Sequence, residues 1–470
     1  MILTTFLQKN YDIDTVSAAF YRLINVWDSW YKANVSKFHS YNVYNGKRNI
    51  RRRRKSLCMA GTVAKDMADL LLNEKVEFMI DHEQTNDFVM EVLKNNQWQY
   101  KANEYQELKS ALGTVAYVVQ LDDVQVDEDG NIIPVGGNIK INYVSANNIY
   151  PVTWSNGVIT ECAFVFQKVF RGKKYNHIQI HRIINGMYEI QNHVVRDEGA
   201  GTEVPEEEWR EMKPFQNMSA IVQTGSDKPQ FVIDKLNIAN KDDGDDGNPM
   251  GVAIFYDAID LLASLDIKFD SCSNEFEIGR KRMFVAPEFL EDRNGNAVFD
   301  ENDTIFYILP EDGLAPNESI HEVDMTLRVD DHTKAINEDL NLLSMKCGYG
   351  MNRYKFEGGT IQTATQVVSE NSDMFRTIQK HELKLKSVLE ELFRIIARLG
   401  VVLGLPLDPE AEITINFDDS IIEDKEAERT SDRADVAMGA MPLYEYRAKW
   451  YGETEEEAKK MVVEDTGVIE

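Results

Sequence analysis

The chain is organised around a stretch that begins MNRYKFEGG at residues 351–359 and continues to Gly400. Within its first nine residues, cations and aromatic residues alternate in front of two glycines: Arg353, Tyr354, Lys355, Phe356, Gly358 and Gly359. After the glycines, which let the backbone turn sharply, apolar or small residues recur every three or four positions without a proline. This spacing predicts an amphipathic helix of about 60 Å, which needs packing partners along its length.

Length and composition indicate a folded protein of several domains. A chain of 470 residues is too long for one hydrophobic core, so we expect roughly two to four domains. Apolar residues make up 43% of the chain, which excludes wholesale disorder. No run reaches the roughly 18 apolar residues that span a bilayer, and the N-terminus lacks the basic segment of a secretory signal.

The net charge of −28 is unevenly distributed. Residues 1–55 hold eleven Lys/Arg against three Asp, a net +8, whereas residues 401–470 hold seven Lys/Arg against nineteen Asp/Glu, a net −12. A strongly acidic chain is a poor candidate for gripping nucleic acid over a broad surface, because phosphate binding needs a dense basic surface. It is compatible with a protein along which nucleic acid must slide.

The basic segment near the N-terminus contains five consecutive cations: Arg51, Arg52, Arg53, Arg54 and Lys55. A helix is predicted directly after it, at about residues 57–72. Three interpretations are open. The run is a solvated helix start or a patch that pairs with acidic neighbours, it contacts phosphates directly, or it is a targeting signal.

The middle of the chain changes from helical to β periodicity. Strands are predicted over residues 115–126 and 131–144, joined by a turn at 127–131, and three more strands follow up to residue 195. The dipeptides Asn156-Gly157 and Asn185-Gly186 mark turns between them. Residues 100–235 are therefore predicted to form an antiparallel sheet packed with helices, which makes the fold class α+β.

A second long helix is predicted at about residues 252–280, and its sequence carries many carboxylates: Asp257, Asp260, Asp266, Asp270, Glu275 and Glu277. They form either an ordinary solvated face or a carboxylate-lined surface past which a polyanion moves without sticking. A β-rich excursion follows, and a helix at about 325–346 returns to the long stretch described above. A strand is predicted at 412–417, and residues 419–470 read as acidic and helical.

The sequence contains no recognisable catalytic constellation. It lacks a Walker A pattern, a G-x-S-x-G elbow and an H-E-x-x-H pair. His177 and His181 fall on one face of a predicted strand, but a pair of satisfied histidines is the more common explanation than a metal site. The four cysteines, Cys58, Cys162, Cys272 and Cys347, lack zinc or disulfide spacing, which favours synthesis in a reducing cytosol. We therefore expect no enzyme, no cofactor and no metal.

Several stretches in order resemble the portal (head–tail connector) proteins of tailed double-stranded DNA bacteriophages, in particular the large portal family of phages of Gram-positive hosts. The resemblance covers nearly the whole chain. It rests on WY at 30–31, RRRRKSLCMA at 51–60, ADLLLNE at 68–74, PMGVAIFYDAIDLL at 249–262 with Asp266 and EF at 275–276, TATQVVSENS at 363–372 and FDDSII at 417–422. The joint order of these stretches carries the resemblance, because each alone is weak.

The resemblance implies a portal-type α+β fold with named regions. An α/β wing would comprise residues 1–250 and 348–418, the second part holding the tunnel loop, the long helix and the returning strand. A two-helix stem would comprise 251–282 and 323–347, a small β-containing clip 283–322, and a short helical crown 419–470. The tunnel loop would face DNA through Asn352, Arg353, Tyr354, Lys355, Phe356, Gly358 and Gly359. The clip would contact the motor or adaptor through Asp292, Arg293, Asn294 and Asn296.

The same resemblance implies a mechanical function. Similar proteins form a homo-oligomeric ring, usually of twelve subunits, at the unique capsid vertex of the virion at the head–tail junction, after assembly in the host cytoplasm. Double-stranded DNA passes through the ring during packaging and ejection. The implied partners are the terminase large subunit, the head–tail adaptor, and the major capsid and scaffolding proteins, without a membrane. Two alternatives stay open: a metal-dependent nucleic-acid-processing enzyme, or a self-assembling virion scaffold without DNA passage.

Overall fold

Helices and strands alternate in groups along the chain. The computed structural model describes residues 3–44, 47–73, 76–122, 125–126, 132–133, 137–241, 247–278, 282–285, 306–308, 320–323, 326–355, 364–417, 425–451 and 453–461. The helices in these residues are α1 Leu3–Tyr11, α2 Ala18–Tyr31, α3 Met59–Leu71, α4 Glu83–Asn95, α5 Trp98–Leu112, α6 Glu206–Arg210, α7 Ile259–Ile278, α8 Val329–Lys346, α9 Ala364–Val402, α10 Lys425–Met438, α11 Leu443–Tyr451 and α12 Glu455–Met461.

The strands in the described residues are β1 Ser40–Tyr44, β2 Asn49–Arg53, β3 Glu77–Ile80, β4 Thr114–Asp122, β5 Gln125–Val126, β6 Ile132–Ile133, β7 Asn138–Ser145, β8 Ile149–Ser155, β9 Val158–Phe170, β10 Lys173–Ile184, β11 Met187–Arg196, β12 Thr202–Glu203, β13 Ile221–Gln223, β14 Phe231–Lys235, β15 Arg282–Val285, β16 Phe306–Ile308, β17 Ile320–Val323 and β18 Ile413–Asn416. This mixture of helix and sheet agrees with the predicted α+β class.

Two antiparallel sheets occupy the region predicted to be β-rich. The larger has the strand order β12-β11-β10-β9-β8, with β13 pairing on β11 as well, and the smaller has the order β14-β4-β7. β4 and β7 pair from Val115 opposite Ser145 to Asp122 opposite Asn138, which confirms the predicted pairing. The predicted turn at 127–131 lies outside the described residues.

Tight turns connect the long strands of the larger sheet. Both residues of Asn156-Gly157 and of Asn185-Gly186 have positive φ angles, as two-residue hairpin turns of type I′ require, so both predicted turns are confirmed. A third turn of the same kind, Arg171-Gly172, was not predicted, because arginine rarely adopts the left-handed conformation.

The long helix α9 packs against α3, α4, β4 and β14, so its predicted packing partners lie in its own chain. It has 39 residues and a length of about 58 Å. From Met374 onward its buried residues recur at helical spacing: Met374, Ile378, Leu385, Val388, Leu389, Leu392, Ile396 and Leu399. Each buried leucine stabilises this packing by about 2 kcal/mol. After α9 the predicted returning strand is confirmed as β18, which pairs with β3, Ile413 opposite Ile80.

The helix predicted at residues 252–280 begins later than expected. A single 3₁₀ turn at Tyr256–Ala258 precedes α7, which starts at Ile259. The preceding segment is buried, and the Ile254 N–H donates to the Ser110 carbonyl at 2.8 Å, so tertiary packing holds these residues out of the helix. The later helix, predicted from about residue 325, likewise starts at Val329, as α8.

α7 and α8 are antiparallel neighbours. The Ser264 hydroxyl donates to Asp339 at 2.6 Å, and further along α7 the Lys268 ammonium donates to the Ala335 carbonyl at 3.1 Å. Between the two helices in sequence lies a three-stranded sheet of order β16-β15-β17, in which β15 is parallel to β16 and antiparallel to β17. The described residues after 424 form α10, α11 and α12, in agreement with the predicted helical C-terminal region.

The basic run forms a strand instead of a helix start. β1 and β2 pair antiparallel, Tyr41 opposite Arg52, so of the open interpretations of this run the solvated helix start is wrong. The tyrosine and β-branched residues of this segment favour a strand, and the chain reaches α3 only after Cys58.

Candidate nucleic-acid interface

The start of the loop at 351–355 is fastened to α3. The Tyr354 hydroxyl donates to Asp66 at 2.8 Å, and the Arg353 Nε lies 3.3 Å from the same carboxylate. Burial raises the pKa of Tyr354, and the Asp66 charge adds to this effect, so the phenol stays protonated and donates. The Tyr354 ring meets Tyr349 edge to face at a centroid distance of 6.0 Å, and the buried Tyr349 hydroxyl donates to the Val63 carbonyl.

The two loop cations differ in their surroundings. The Arg353 side chain is 35% exposed beside an Asp66 that is 27% exposed, and such a surface pair is worth about 1 kcal/mol or less. Lys355 is exposed, and no carboxylate among the described residues pairs with it. Asn352 has a φ of 68°, and its N–H donates to Asn341 at 3.0 Å. Among the described residues, one cation is thus held by an exchangeable partner and the other has no carboxylate partner.

The remaining predicted loop residues, Phe356, Gly358 and Gly359, lie outside the described residues. The same holds for the predicted contact residues of the β excursion: Asp292, Arg293, Asn294 and Asn296.

The predicted acidic surface of α7 needs a correction at Asp266 and Asp270, which are buried. Asp266 accepts hydrogen bonds from the Ser56 hydroxyl at 2.9 Å and the Leu57 N–H at 3.0 Å, and it contacts the His39 imidazole. Asp270 accepts from the Lys55 N–H at 3.0 Å and the Tyr41 hydroxyl. These carboxylates hold the segment around the basic run on α7 and do not face a passing polyanion.

The other four carboxylates are nearer the surface but mostly paired. Asp257 pairs with Lys241, and Glu277 pairs with Lys55 at 2.8 Å. Glu275 accepts from Arg328 at 2.9 Å and from His332, and the Arg328 hydrogen bond lowers the pKa of Glu275. Asp260 is exposed and has no ion-pair partner among the described residues. The six acidic residues therefore do not form one continuous surface in the protomer.

The four arginines of the basic run divide into two groups, whereas Lys55 pairs with Glu277. All residues of β2 are exposed, including Arg51, Arg52 and Arg53. Arg54 instead stacks its guanidinium on Phe38 and Tyr41, 4.2 and 4.8 Å from their ring centroids.

The two histidines of β10 are structural. His177 lies 2.8 Å from the Asn192 side-chain oxygen, at the wall of a cavity of about 320 Å³, and His181 lies 3.3 Å from Gln179. Burial lowers the pKa of His177 to about 4 and that of His181 to about 3, so both are neutral near pH 7. Across the described part of the chain, no group of three or more His, Cys, Asp or Glu is arranged to hold a metal ion.

Asp66 is the residue of this site that sequence reasoning missed. It lies on α3, 287 residues before Arg353, and its sequence neighbourhood has no feature that separates it from other helical carboxylates. Only the folded chain brings the two together.

A family model described as "Phage portal protein, SPP1 Gp6-like" matches residues 12–470. No curated protein matches the chain. Within the described residues, none of the helices has the length and apolar character needed to cross a membrane.

Proposed function

Because the chain belongs to the phage portal protein family, a family of structural proteins of the capsid vertex that serve DNA packaging, we propose that it forms a homo-oligomeric ring that conducts double-stranded DNA. DNA passes through the axial channel of this ring during packaging and again during ejection. The terminase large subunit and then the head–tail adaptor dock on its outer end, and capsid and scaffolding proteins surround it.

One observation carries this proposal beyond family membership. An antiparallel helix pair, α7 and α8, is interrupted by a small sheet, β15–β17, and is followed at once by a basic-aromatic loop and a 39-residue helix. This order supports a stem at 251–282 and 323–347 and a clip at 283–322. It also supports a tunnel loop and long helix within a wing at 1–250 and 348–418. The helices after residue 424 suit a short crown at 419–470.

The surroundings of the loop cations support transient contact with DNA. A conduit must touch phosphates and then release them, because every strong contact slows the next step. Arg353 exchanges a weak surface partner, Asp66, for a phosphate, and Lys355 contacts phosphate without such an exchange. The acidic character of the chain, −28 in total, keeps other surfaces from holding the duplex.

The double substitution Arg353→Ala with Lys355→Ala tests the proposal. We expect rings of unchanged mass, because neither cation is buried in the single chain. We expect heads that contain several-fold less DNA, because the duplex loses its transient phosphate contacts. DNA per head is measured by quantitative PCR of nuclease-treated particles. Lys173→Ala with Lys174→Ala, which removes two exposed charges from β10, is the matched control. Loss of ring assembly in the loop variant would instead assign the loop a structural role.

The two alternatives make different predictions. An enzyme that acts on nucleic acid through bound metal requires three or more protein oxygens on one ion, which metal-soaked crystals or electron microscopy maps would reveal. A scaffold without DNA passage requires an assembly whose axis is closed to duplex DNA. Neither alternative draws support from an observation on the described residues.

A further inference from the structure

The strands β1 and β2 form a two-stranded hairpin, called here the arm, with distinct faces. Side chains alternate between the faces of a strand, so Arg51 and Arg53 share one face with their partners Asn42 and Ser40. Arg51 donates to the Ser40 hydroxyl at 2.8 Å on that face. Tyr41 belongs to the opposite face.

The opposite face is the one fixed to the rest of the protomer. Tyr41 donates to the buried Asp270, and the chain that leaves β2 donates to Asp266 and Asp270 through the N–H groups of Leu57 and Lys55. The face with Arg51 and Arg53 therefore points away from α7. All five residues of β2 are exposed, and no carboxylate among the described residues pairs with Arg51, Arg52 or Arg53.

No contact among the described residues of one protomer explains why these cations lie together and exposed on the arm. A two-stranded hairpin has marginal stability in water, and adjacent exposed cations repel one another. Residues 37–55 hold eight Lys/Arg and no Asp/Glu, so the −28 of the whole chain less this +8 leaves −36 for the remaining residues. Apart from its own arm, a second copy of the chain is therefore strongly acidic, and its charge is opposite to that of the arm.

A complementary feature lies on α4. Glu83, Asp87 and Glu91 occur at i, i+4 and i+8 and are all exposed, and no cation among the described residues pairs with them. Like charges at this spacing weaken a helix, although Glu83 in the first turn of α4 also interacts favourably with the helix dipole. The carboxylates of this stripe are about 6 Å apart along the helix, and Arg51 and Arg53 are about 6.6 Å apart along the strand.

We propose that the arm of one subunit docks through Arg51 and Arg53 on the Glu83–Asp87–Glu91 stripe of the adjacent subunit. The inference rests on the proposed ring, because a head-to-tail contact between two different patches closes when it is repeated around an axis. Each guanidinium meets one carboxylate in paired hydrogen bonds, and arginine suits this geometry better than lysine. The contact is exposed, so salt weakens it.

Charge reversal tests the contact. The arm variant carries Arg51→Glu with Arg53→Glu, and the stripe variant carries Asp87→Lys with Glu91→Lys. A control carries Arg171→Glu with Lys173→Glu, which makes the same charge change on another exposed hairpin. Native mass spectrometry gives the oligomer mass of each purified chain at low and high ionic strength.

We expect each of the two variants alone to assemble about tenfold less well or worse, because like charges then face each other. An equal mixture of the two should recover rings of parental mass, with the variants alternating, since every arm then meets a stripe of opposite charge. Recovery by mixing also shows that both variants are folded. The control should assemble as the parent does.

Two outcomes would overturn the inference: parental assembly of the arm variant, or no recovery in the mixture. If the arm variant assembles as the parent does but no longer retains labelled duplex DNA, the arm is assigned to nucleic acid instead. A parent chain that stays monomeric would refute the proposed ring itself, whereas a ring that ignores both reversals refutes only the arm contact.

Discussion

Two histidines are held neutral deep in the fold. His181 lies between the rings of Phe164 and Phe231, at centroid distances of 5.4 and 5.3 Å. His381, on α9, accepts the Asn237 N–H on its Nδ1 at 3.1 Å, and Lys109 and Lys380 add positive charge nearby. Burial lowers the pKa of each imidazole from 6.5 to about 3. In the native protein His381 is therefore a hydrogen-bond acceptor, whereas neutral His181 donates its Nε2–H to the Gln179 side-chain oxygen.

These histidines make the protein sensitive to acid. Below pH 6.5 the unfolded chain binds protons that the folded chain cannot, so stability is complete above this pH and falls as the pH falls towards 3. At about pH 5 each histidine lowers the free energy of unfolding by about 2 kcal/mol. In urea titrations, His381→Gln should reduce the loss between about pH 7.5 and 5 by this amount. An equal loss in the parent and the variant would contradict the assignment.

At the scale of elements, the sequence correctly predicted those turns, helices and strands whose conformation depends on residues close by in the chain. The Asn156-Gly157 and Asn185-Gly186 turns follow from the ease with which these residues take positive φ angles. The helix α9 follows from its apolar spacing, which persists in the buried positions from Met374 to Leu399. The pairing of β4 with β7 follows from two β-rich runs on either side of a turn signal.

The wrong predictions concern residues whose conformation or burial depends on contacts with residues far away in the sequence. Arg51 reads as a helix start because nothing nearby reveals that Asp266 and Asp270, more than 200 residues later, fix the segment to α7. From the sequence, the same two carboxylates are assigned to an exposed helix face, because the residues that bind them are more than 200 positions away in the chain. In the candidate site the cations Arg353 and Lys355 were identified from the sequence, but the Asp66 that restrains one of them was not.

The entry into α7 depends on a close contact between two glycines. A Cβ on Gly251 would lie 2.2 Å from the Gly113 carbonyl oxygen and 2.8 Å from the Lys235 Cβ. Gly251→Ala should therefore force these backbones apart and lower the free energy of unfolding by about 3 kcal/mol, measured by urea denaturation. Gly61→Ala, within α3, is the control, because its Cβ would meet only Tyr31 of α2, at ordinary distances of 3.5 Å and more. Equal midpoints for the two variants would argue against the tight crossing.

At the scale of the whole molecule, charge and shape support one mechanical role. The chain is acidic. Its described cations without carboxylate partners include Lys355 at the loop and three arginines at the arm, and Asp66 of α3 anchors the start of the loop. In a ring each of these features would be repeated around the axis. Weak contacts from several subunits would then act together on a moving duplex. The ion pairs proposed between subunits would make such assembly dependent on ionic strength.

Single-particle electron microscopy of the purified assembly, at low and high ionic strength, examines this role. We expect a closed ring with an axial channel that admits duplex DNA and with the loop that contains Arg353 and Lys355 facing the channel. A chain that is monomeric at every ionic strength, or a ring in which these loops point outward, would contradict it.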